Sequence, residues 1–248
     1  MPSPLLTRMR LFPIADDALT VEFGQAISPA LHEQVCRLDQ ALAAQPFAGL
    51  RETVPAYASL GVFYAPDRVA RAYPTYPSAQ AAVISHIEGL LRDLPPADGF
   101  SRRRITLPVC YDLRCGPDLP FVAQQHGLCV EEVIARHTAP VYRVFMLGFL
   151  PGFAYLGLVD ERIATPRRPT PRPHVPAGSV GIAGRQTGIY PTTSPGGWQL
   201  IGRTPVRMFD PFAPQPARLQ PGDEVCFYPI PYEEWLAALA SEAKGEWR

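Results

Sequence analysis

Residues 178–209 read GSVGIAGRQTGIYPTTSPGGWQLIGRTPVRMF. Four short apolar runs stand out: Val180 to Ala183, Gly188 to Tyr190, Trp198 to Ile201 and Val206 to Phe209. Each is strand-sized, and each is bounded by Gly or Pro. A fifth run, Glu224 to Tyr228, follows after more turn residues. Helical periodicity is absent from Gly148 until Tyr232. Many short strands with turn signals between them predict a β-sandwich or barrel. Working outward, Val141 to Leu147 (VYRVFML) reads as a further strand, preceded by two short helices, Asp118 to His126 and Cys129 to His137. Tyr232 to Ala243, with Trp235, Leu236 and Leu239, reads as a capping helix.

The first hundred residues have a different texture. Leu19 to Phe23 (LTVEF) alternates apolar and polar, as a half-buried strand does, and Gly24 ends it. Ser28-Pro29 reads as an N-cap and N1 proline. Ile27, Leu31, Val35, Leu38 and Leu42 then share one helical face. Two strand-like runs follow, Leu50 to Val54 and Leu60 to Tyr64, and then a Pro-rich loop (Pro66, Pro74, Pro77). Ser78 starts a second helix carrying Val83, Ile87, Leu90, Leu91 and Leu94, which Pro95-Pro96 stops. Arg103 to Cys110 (RRITLPVC) reads as a last strand. The predicted order is β-α-β-β-α-β, the ferredoxin-like split βαβ pattern.

Composition narrows the partners. The chain has 23 Lys+Arg against 23 Asp+Glu over 248 residues. A neutral chain lacks the basic excess that general nucleic-acid binding needs. No apolar stretch approaches the ~20 residues of a bilayer span, and residues 1–10 lack the apolar core of a signal peptide. The expected location is the cytoplasm. The five cysteines (Cys36, Cys110, Cys115, Cys129, Cys226) read as free thiols there. Cys110-x4-Cys115 has no second pair, so no metal site is expected. The only lysine is Lys244. A Walker A loop, with its Gly-Lys-Ser/Thr, is therefore absent, and neither Schiff-base chemistry nor a Ser-Lys amidase dyad is expected.

Charge is unevenly placed. Between Arg162 and Phe209 there are seven arginines (Arg162, Arg167, Arg168, Arg172, Arg185, Arg203, Arg207) and no Asp or Glu. Thr165 to Arg172 reads TPRRPTPR, and proline holds such a loop extended. Rigid arginines recognise carboxylates and phosphates bidentately. The same arginines equally read as partners for acids elsewhere in the chain, or as solvated cations. His174, inside this loop, is an acid-base candidate, whereas His137 reads as a C-terminal helix cap. Ser179 reads as a turn or ligand-contact residue; Gly178-Ser179-Val180-Gly181 only loosely resembles a nucleophile elbow. GFLPGFAYLG (148–157) and SPGGWQLIGR (194–203) combine glycines, which admit a ligand to the backbone, with aromatics that wall pockets.

These segments carry a resemblance. GFLPGFAYLG, ATPRRPTPRPHVPAGSVGIAG, QTGIYPTTSPGGWQLIGRTP, PVCYDLRCGPDL (108–119) and ETVPAYASLGVFY (52–64) resemble the signature blocks of the Kip-type kinase-inhibitor family. That family is also labelled allophanate hydrolase subunit 1 and is described as the B subunit of bacterial 5-oxoprolinase. The likeness runs from about Arg10 to Pro229. Asp112-Leu113-Arg114-Cys115 departs from the Gly-rich residues usual after Cys-Tyr in that family.

The resemblance implies an α+β N-terminal domain (1–100), a cyclophilin-like β-barrel domain (101–231) and a C-terminal helix and tail (232–248). It implies a 5-oxoprolinase complex, with direct contact to the C subunit and an A subunit besides. That complex opens the lactam of 5-oxo-L-proline to L-glutamate with ATP hydrolysis, this chain being inactive alone and ATP being shared with a partner. Within that reading, His174, Arg172 and Arg203 are the expected catalytic residues. Gly152, Phe153, Tyr155, Arg167, Gly178, Ser179, Gln186, Tyr190, Pro195, Gly196, Gly197 and Trp198 are the expected substrate- and phosphate-binding residues. Two other roles attach to the family: inhibition of a sensor histidine kinase, and the carboxyltransferase half of a biotin-dependent urea carboxylase. The single lysine argues against the allophanate hydrolase label, which needs a Ser-Ser-Lys amidase.

Overall fold

The computed structural model describes residues 9–94 and 103–243. Lys244, Pro95, Pro96 and residues 1–8 lie outside the described residues. The chain divides into two compact units, Met1–Ser101 and Arg102–Arg248.

The first unit contains β1 (Arg10–Ala15), β2 (Ala18–Glu22), α1 (Pro29–Ala44), β3 (Leu50–Pro55), β4 (Ser59–Tyr64), α2 (Pro66–Ala72) and α3 (Ala79–Arg92). Its sheet runs β1-β2-β4-β3, with every pair antiparallel. The apolar positions of β2 and β4 meet Val35, Leu38 and Leu42 of α1 and Val83 and Ile87 of α3 in one buried cluster. Ser78 caps α3 as expected, its hydroxyl accepting from the Ala81 N–H. Ser28 occupies the N-cap of α1 without a side-chain bond, so Pro29 alone marks that start.

The ferredoxin-like order is not reproduced as a whole. β2 and β3 do flank β4, as in a split βαβ unit, but the edge beside β2 is held by β1. Arg103 to Cys110, expected to close this sheet, belongs to the second unit. The reason is burial: Leu107 to Cys110 is buried throughout, which a central barrel strand accommodates and an edge strand does not. α2 also departs from expectation. Pro66, read as loop, sits in the first helical turn, where its fixed φ and missing N–H cost nothing.

The second unit contains β5 (Arg104–Cys110), α4 (Leu119–His126), α5 (Val130–Thr138), β6 (Tyr142–Leu147), β7 (Ala154–Gly157), β8 (Arg172–Val175), β9 (Ser179–Ala183), β10 (Gln186–Ile189), β11 (Ser194–Gly196), β12 (Gln199–Arg203), β13 (Glu224–Ile230) and α6 (Tyr232–Ala243). Seven strands close a barrel in the order β10-β7-β6-β13-β5-β12-β9. Closure rests on β5 and β13, which pair in parallel from Arg104↔Glu224 to Cys110↔Ile230. Leu107, Val109, Tyr142, Val144, Leu156, Val180, Ile182, Val225 and Phe227 fill the principal core. β8 and β11 form a separate two-stranded sheet. Val206 to Phe209, expected as a strand, makes only an isolated bridge, Phe209↔Ala217. Among the described residues, no helix is long and apolar enough to cross a membrane.

Candidate functional site

The arginine-rich loop is anchored by a carboxylate outside it. Asp118, buried at the N-terminus of α4, accepts from Arg172 Nη1 at 2.8 Å and Nη2 at 2.6 Å. Arg168 Nη1 adds a third donor at 3.1 Å, and the Leu200 N–H a fourth at 2.7 Å. The Asp118 N–H in turn donates to the Leu200 carbonyl, which ties α4 to β12. The seven arginines are thus largely engaged. Arg185 pairs with Glu161 at 2.9 Å, and Arg207 lies 3.6 Å from Asp210. Arg167 is exposed, its guanidinium 5.9 Å from the centre of the Trp198 ring. His174 is exposed on β8, and Pro195 is exposed on β11.

The expected aromatic walls pack on one another. Phe153 sits at the centre of Tyr155, Tyr190 and Trp198, edge to face with each at centroid distances of 4.9–5.4 Å. Phe153, Tyr190 and Trp198 are buried with Val175, Ala183 and Leu200 in a second small core. Gly196 is required here, since a Cβ would run into the Tyr190 hydroxyl. The Gly197 carbonyl accepts from the Arg168 N–H at 2.7 Å, and Gln186 lies half-buried on β10. Gly152, at φ 80°, abuts Phe209. Phe149 stands out from this group: it has φ 71°, and its side chain is 61% exposed. A bulky residue in the left-handed region costs roughly 1–3 kcal/mol. A Phe149→Gly variant is expected to change stability by less than about 1 kcal/mol, because relief of the strain is offset by the lost edge-to-face contacts with Phe153 and Tyr190 and by glycine's greater freedom in the unfolded chain. Urea unfolding reads this directly, and a loss above about 2 kcal/mol would show that contact, not strain, dominates at Phe149.

An open pocket of about 520 Å³ lies between the turn before β9, the end of β12 and α6. One wall is Ala177, Gly178 and the Pro191-Thr192-Thr193 turn; the other is Arg203 to Arg207 with Phe209; Leu239 of α6 completes it. Gly178 is at φ +81°, and a Cβ there would strike the Thr204 carbonyl. Ser179 is buried on β9 beside this wall, opposite Arg203 in register. Arg203 is half-buried and held from two sides: Nε donates to the Ala177 carbonyl at 2.7 Å, and the guanidinium lies 5.2 Å from the Trp235 ring centre. It makes no ion pair among the described residues, and burial lowers its pKa. A groove of about 560 Å³ between α1 and α3 is lined by Arg37 and His86, but Arg37 there already donates to Gln34 and to the Leu94 carbonyl.

The barrel interior holds a polar chain that local sequence does not announce. His137 Nε2 lies 2.9 Å from Thr187 Oγ1, and Nδ1 lies 2.8 Å from the Tyr111 hydroxyl. Thr187 donates to the Gly181 carbonyl, so it accepts from His137, which is therefore the neutral Nε2–H form with Tyr111 donating to Nδ1. His137 is fully buried and stacks on Phe227 at 4.9 Å. Burial pushes its pKa down to about 3. It is not the charged helix cap expected at the end of α5. Cys110 and Cys115 are buried near Trp235, and burial beside Cys110 pushes the Cys115 thiol up to about 12. No group of three or more metal-ligating side chains occurs among the described residues.

The family model described as carboxyltransferase domain, subdomain C and D, matches residues 9–219. The chain belongs to this family. It is 43% identical to the B subunit of 5-oxoprolinase from Bacillus subtilis over 94% of its own length and 98% of that protein. To the corresponding 5-oxoprolinase B subunit of Escherichia coli O157:H7 it is 38% identical over 90% and 97%. The crystal structure of TTHA0988 is 40% identical, with a TM-score of 0.74 over 86% of this chain and 40% of that one. The chain thus spans less than half of that protein's length.

In this carboxyltransferase C/D family member, the structure brings Phe153, Tyr155, Tyr190, Trp198 and Arg167 together, and separately Gly178, Ser179 and Arg203. Arg172 faces Asp118 rather than the pocket. Asp118 and His137 take roles that sequence reasoning misses. For Asp118 a signal exists: seven arginines without a local acid require one from another segment, and Asp118 stands in the PVCYDLRCGPDL block.

Proposed function

We propose that this chain is the B subunit of a 5-oxoprolinase, acting in the cytoplasm in a complex with the A and C subunits. The observation that carries this reading is 43% identity to a 5-oxoprolinase B subunit across nearly the whole of both chains. The activity is ATP-driven opening of the 5-oxo-L-proline lactam to L-glutamate. An amide carbonyl resists water, so the oxygen must first be activated and the developing charge met by fixed donors. The residues here fit ATP poorly. A phosphate loop is absent from the sequence, and Arg168 and Arg172 are taken by Asp118. We assign the triphosphate to another member of the complex or to a shared surface, to which the exposed Arg167 of the arginine-rich loop is one cation this chain offers.

The test is coexpression with the two candidate partners. The expected result is a complex in which phosphate release and glutamate formation both require 5-oxoproline and this chain. A complex that hydrolyses 5-oxoproline equally well without this chain sinks the reading.

A further inference from the structure

The Arg203 pocket has three properties that together specify a ligand. Its cation is fixed: the Ala177 carbonyl and the Trp235 ring hold Arg203 from two sides. The cation meets no carboxylate among the described residues, and none of the lining residues is acidic. The remaining surface carries hydroxyls (Thr192, Thr193, Thr204), apolar faces (Pro191, Pro205, Leu239) and a second arginine, Arg207, which lies 3.6 Å from Asp210. A half-buried guanidinium without a counter-ion, already held in place, binds an oxyanion at a low cost of reorganisation. Four arginines of the same region are already paired within the chain, so Arg203 is singled out by its surroundings and not by local charge alone.

We propose that this pocket binds a small ring-bearing monocarboxylate, its carboxylate on Arg203, its ring against Pro191, Pro205 and Leu239, and its polar edge toward the threonine hydroxyls. This rests on the 5-oxoprolinase reading and deepens it, because a five-membered lactam carboxylate has this division of charge and ring. Gly178 belongs to the design: any side chain there would push the wall carrying Thr204 off Arg203. At about 520 Å³ the pocket exceeds what one such molecule fills, which leaves its open side available to a second reactant.

Calorimetric titration of the full chain with 5-oxoproline, and separately with inorganic phosphate, tests the proposal. Expected is binding of 5-oxoproline that weakens at least ten-fold in Arg203→Lys, which keeps the charge but loses the fork. Leu239→Glu, an exposed change that places a carboxylate across the pocket, is expected to weaken it by a similar factor without altering the fold. The proposal is overturned by no binding to the unaltered chain, by binding indifferent to both variants, or by phosphate binding with the same dependence on Arg203. Turnover by the assembled complex is measured in parallel. Turnover without Arg203-dependent binding sinks the pocket assignment alone, whereas absence of both sinks the activity reading as well.

Discussion

Asp118→Ala is expected to be the most damaging single substitution in the second unit, costing about 3–5 kcal/mol. Removing this carboxylate orphans Arg172, whose side chain is only 23% exposed, deprives Arg168 of its ion pair, and leaves the buried Leu200 N–H unsatisfied. Asp118→Asn keeps an acceptor for Leu200 and is expected to recover part of the loss. The same change detaches β8 and the TPRRPTPR loop from α4, so proteolysis within residues 165–172 is expected to accelerate while the barrel persists. Urea unfolding and limited proteolysis check both. A cost below 1 kcal/mol would mean that the arginines are solvated as well as they are paired.

Acid is expected to destabilise the barrel through His137. In the fold His137 takes up a proton only near pH 3, against 6.5 in an unfolded chain, because no solvent reaches it. The unfolded state therefore binds the extra proton as pH falls. The stabilisation is whole above pH 6.5, declines by about 1.4 kcal/mol per pH unit below it, and is gone near pH 3. Between pH 6.5 and about 5 the loss is roughly 1.5–2 kcal/mol, before most carboxylates titrate. His137→Gln is expected to be less stable at pH 7, since a side-chain amide bridges Tyr111 and Thr187 imperfectly, yet to have a flatter profile across that window. Parallel slopes for the two proteins would show that another group governs the acid response.

What can be read in advance follows from where each signal resides. The strands of the barrel announce themselves locally, because Gly and Pro bound each apolar run and β-branched residues fill it. β9, β12 and β13 lie within two residues of the expected runs. Arg103 to Cys110 is equally legible as a strand but not as to its sheet, since pairing partners 120 residues apart leave no trace in local periodicity. β1 gives no such signal, because RLFPIA carries a proline that an edge strand tolerates. The site divides in the same way. Gly178 and Arg203 stand out by type and density. Asp118 is announced only indirectly, by arginines that lack a local acid, and His137 not at all, because a lone histidine gains its role only from the side chains that distant segments bring to it. Aromatics beside glycines read as pocket walls; of these, Phe153, Tyr190 and Trp198 are buried against one another in a second small core.

The parallel seam between β5 and β13 also sets an order of events during synthesis. β5 emerges early and carries the buried run Leu107 to Cys110, but of its two neighbours β12 is not made until Gln199–Arg203 and β13 not until Glu224–Ile230. Until then one side of β5 is an open, apolar strand edge, the kind that templates association with other chains. At 5–20 residues per second the intervening stretch takes roughly 6–24 seconds to synthesise. The barrel is therefore a post-translational structure. A ribosome stalled, or a gene truncated, between the end of the first unit and Glu224 yields a chain that can complete the first unit but exposes a sticky half-barrel, so quality control should act on the product as a whole.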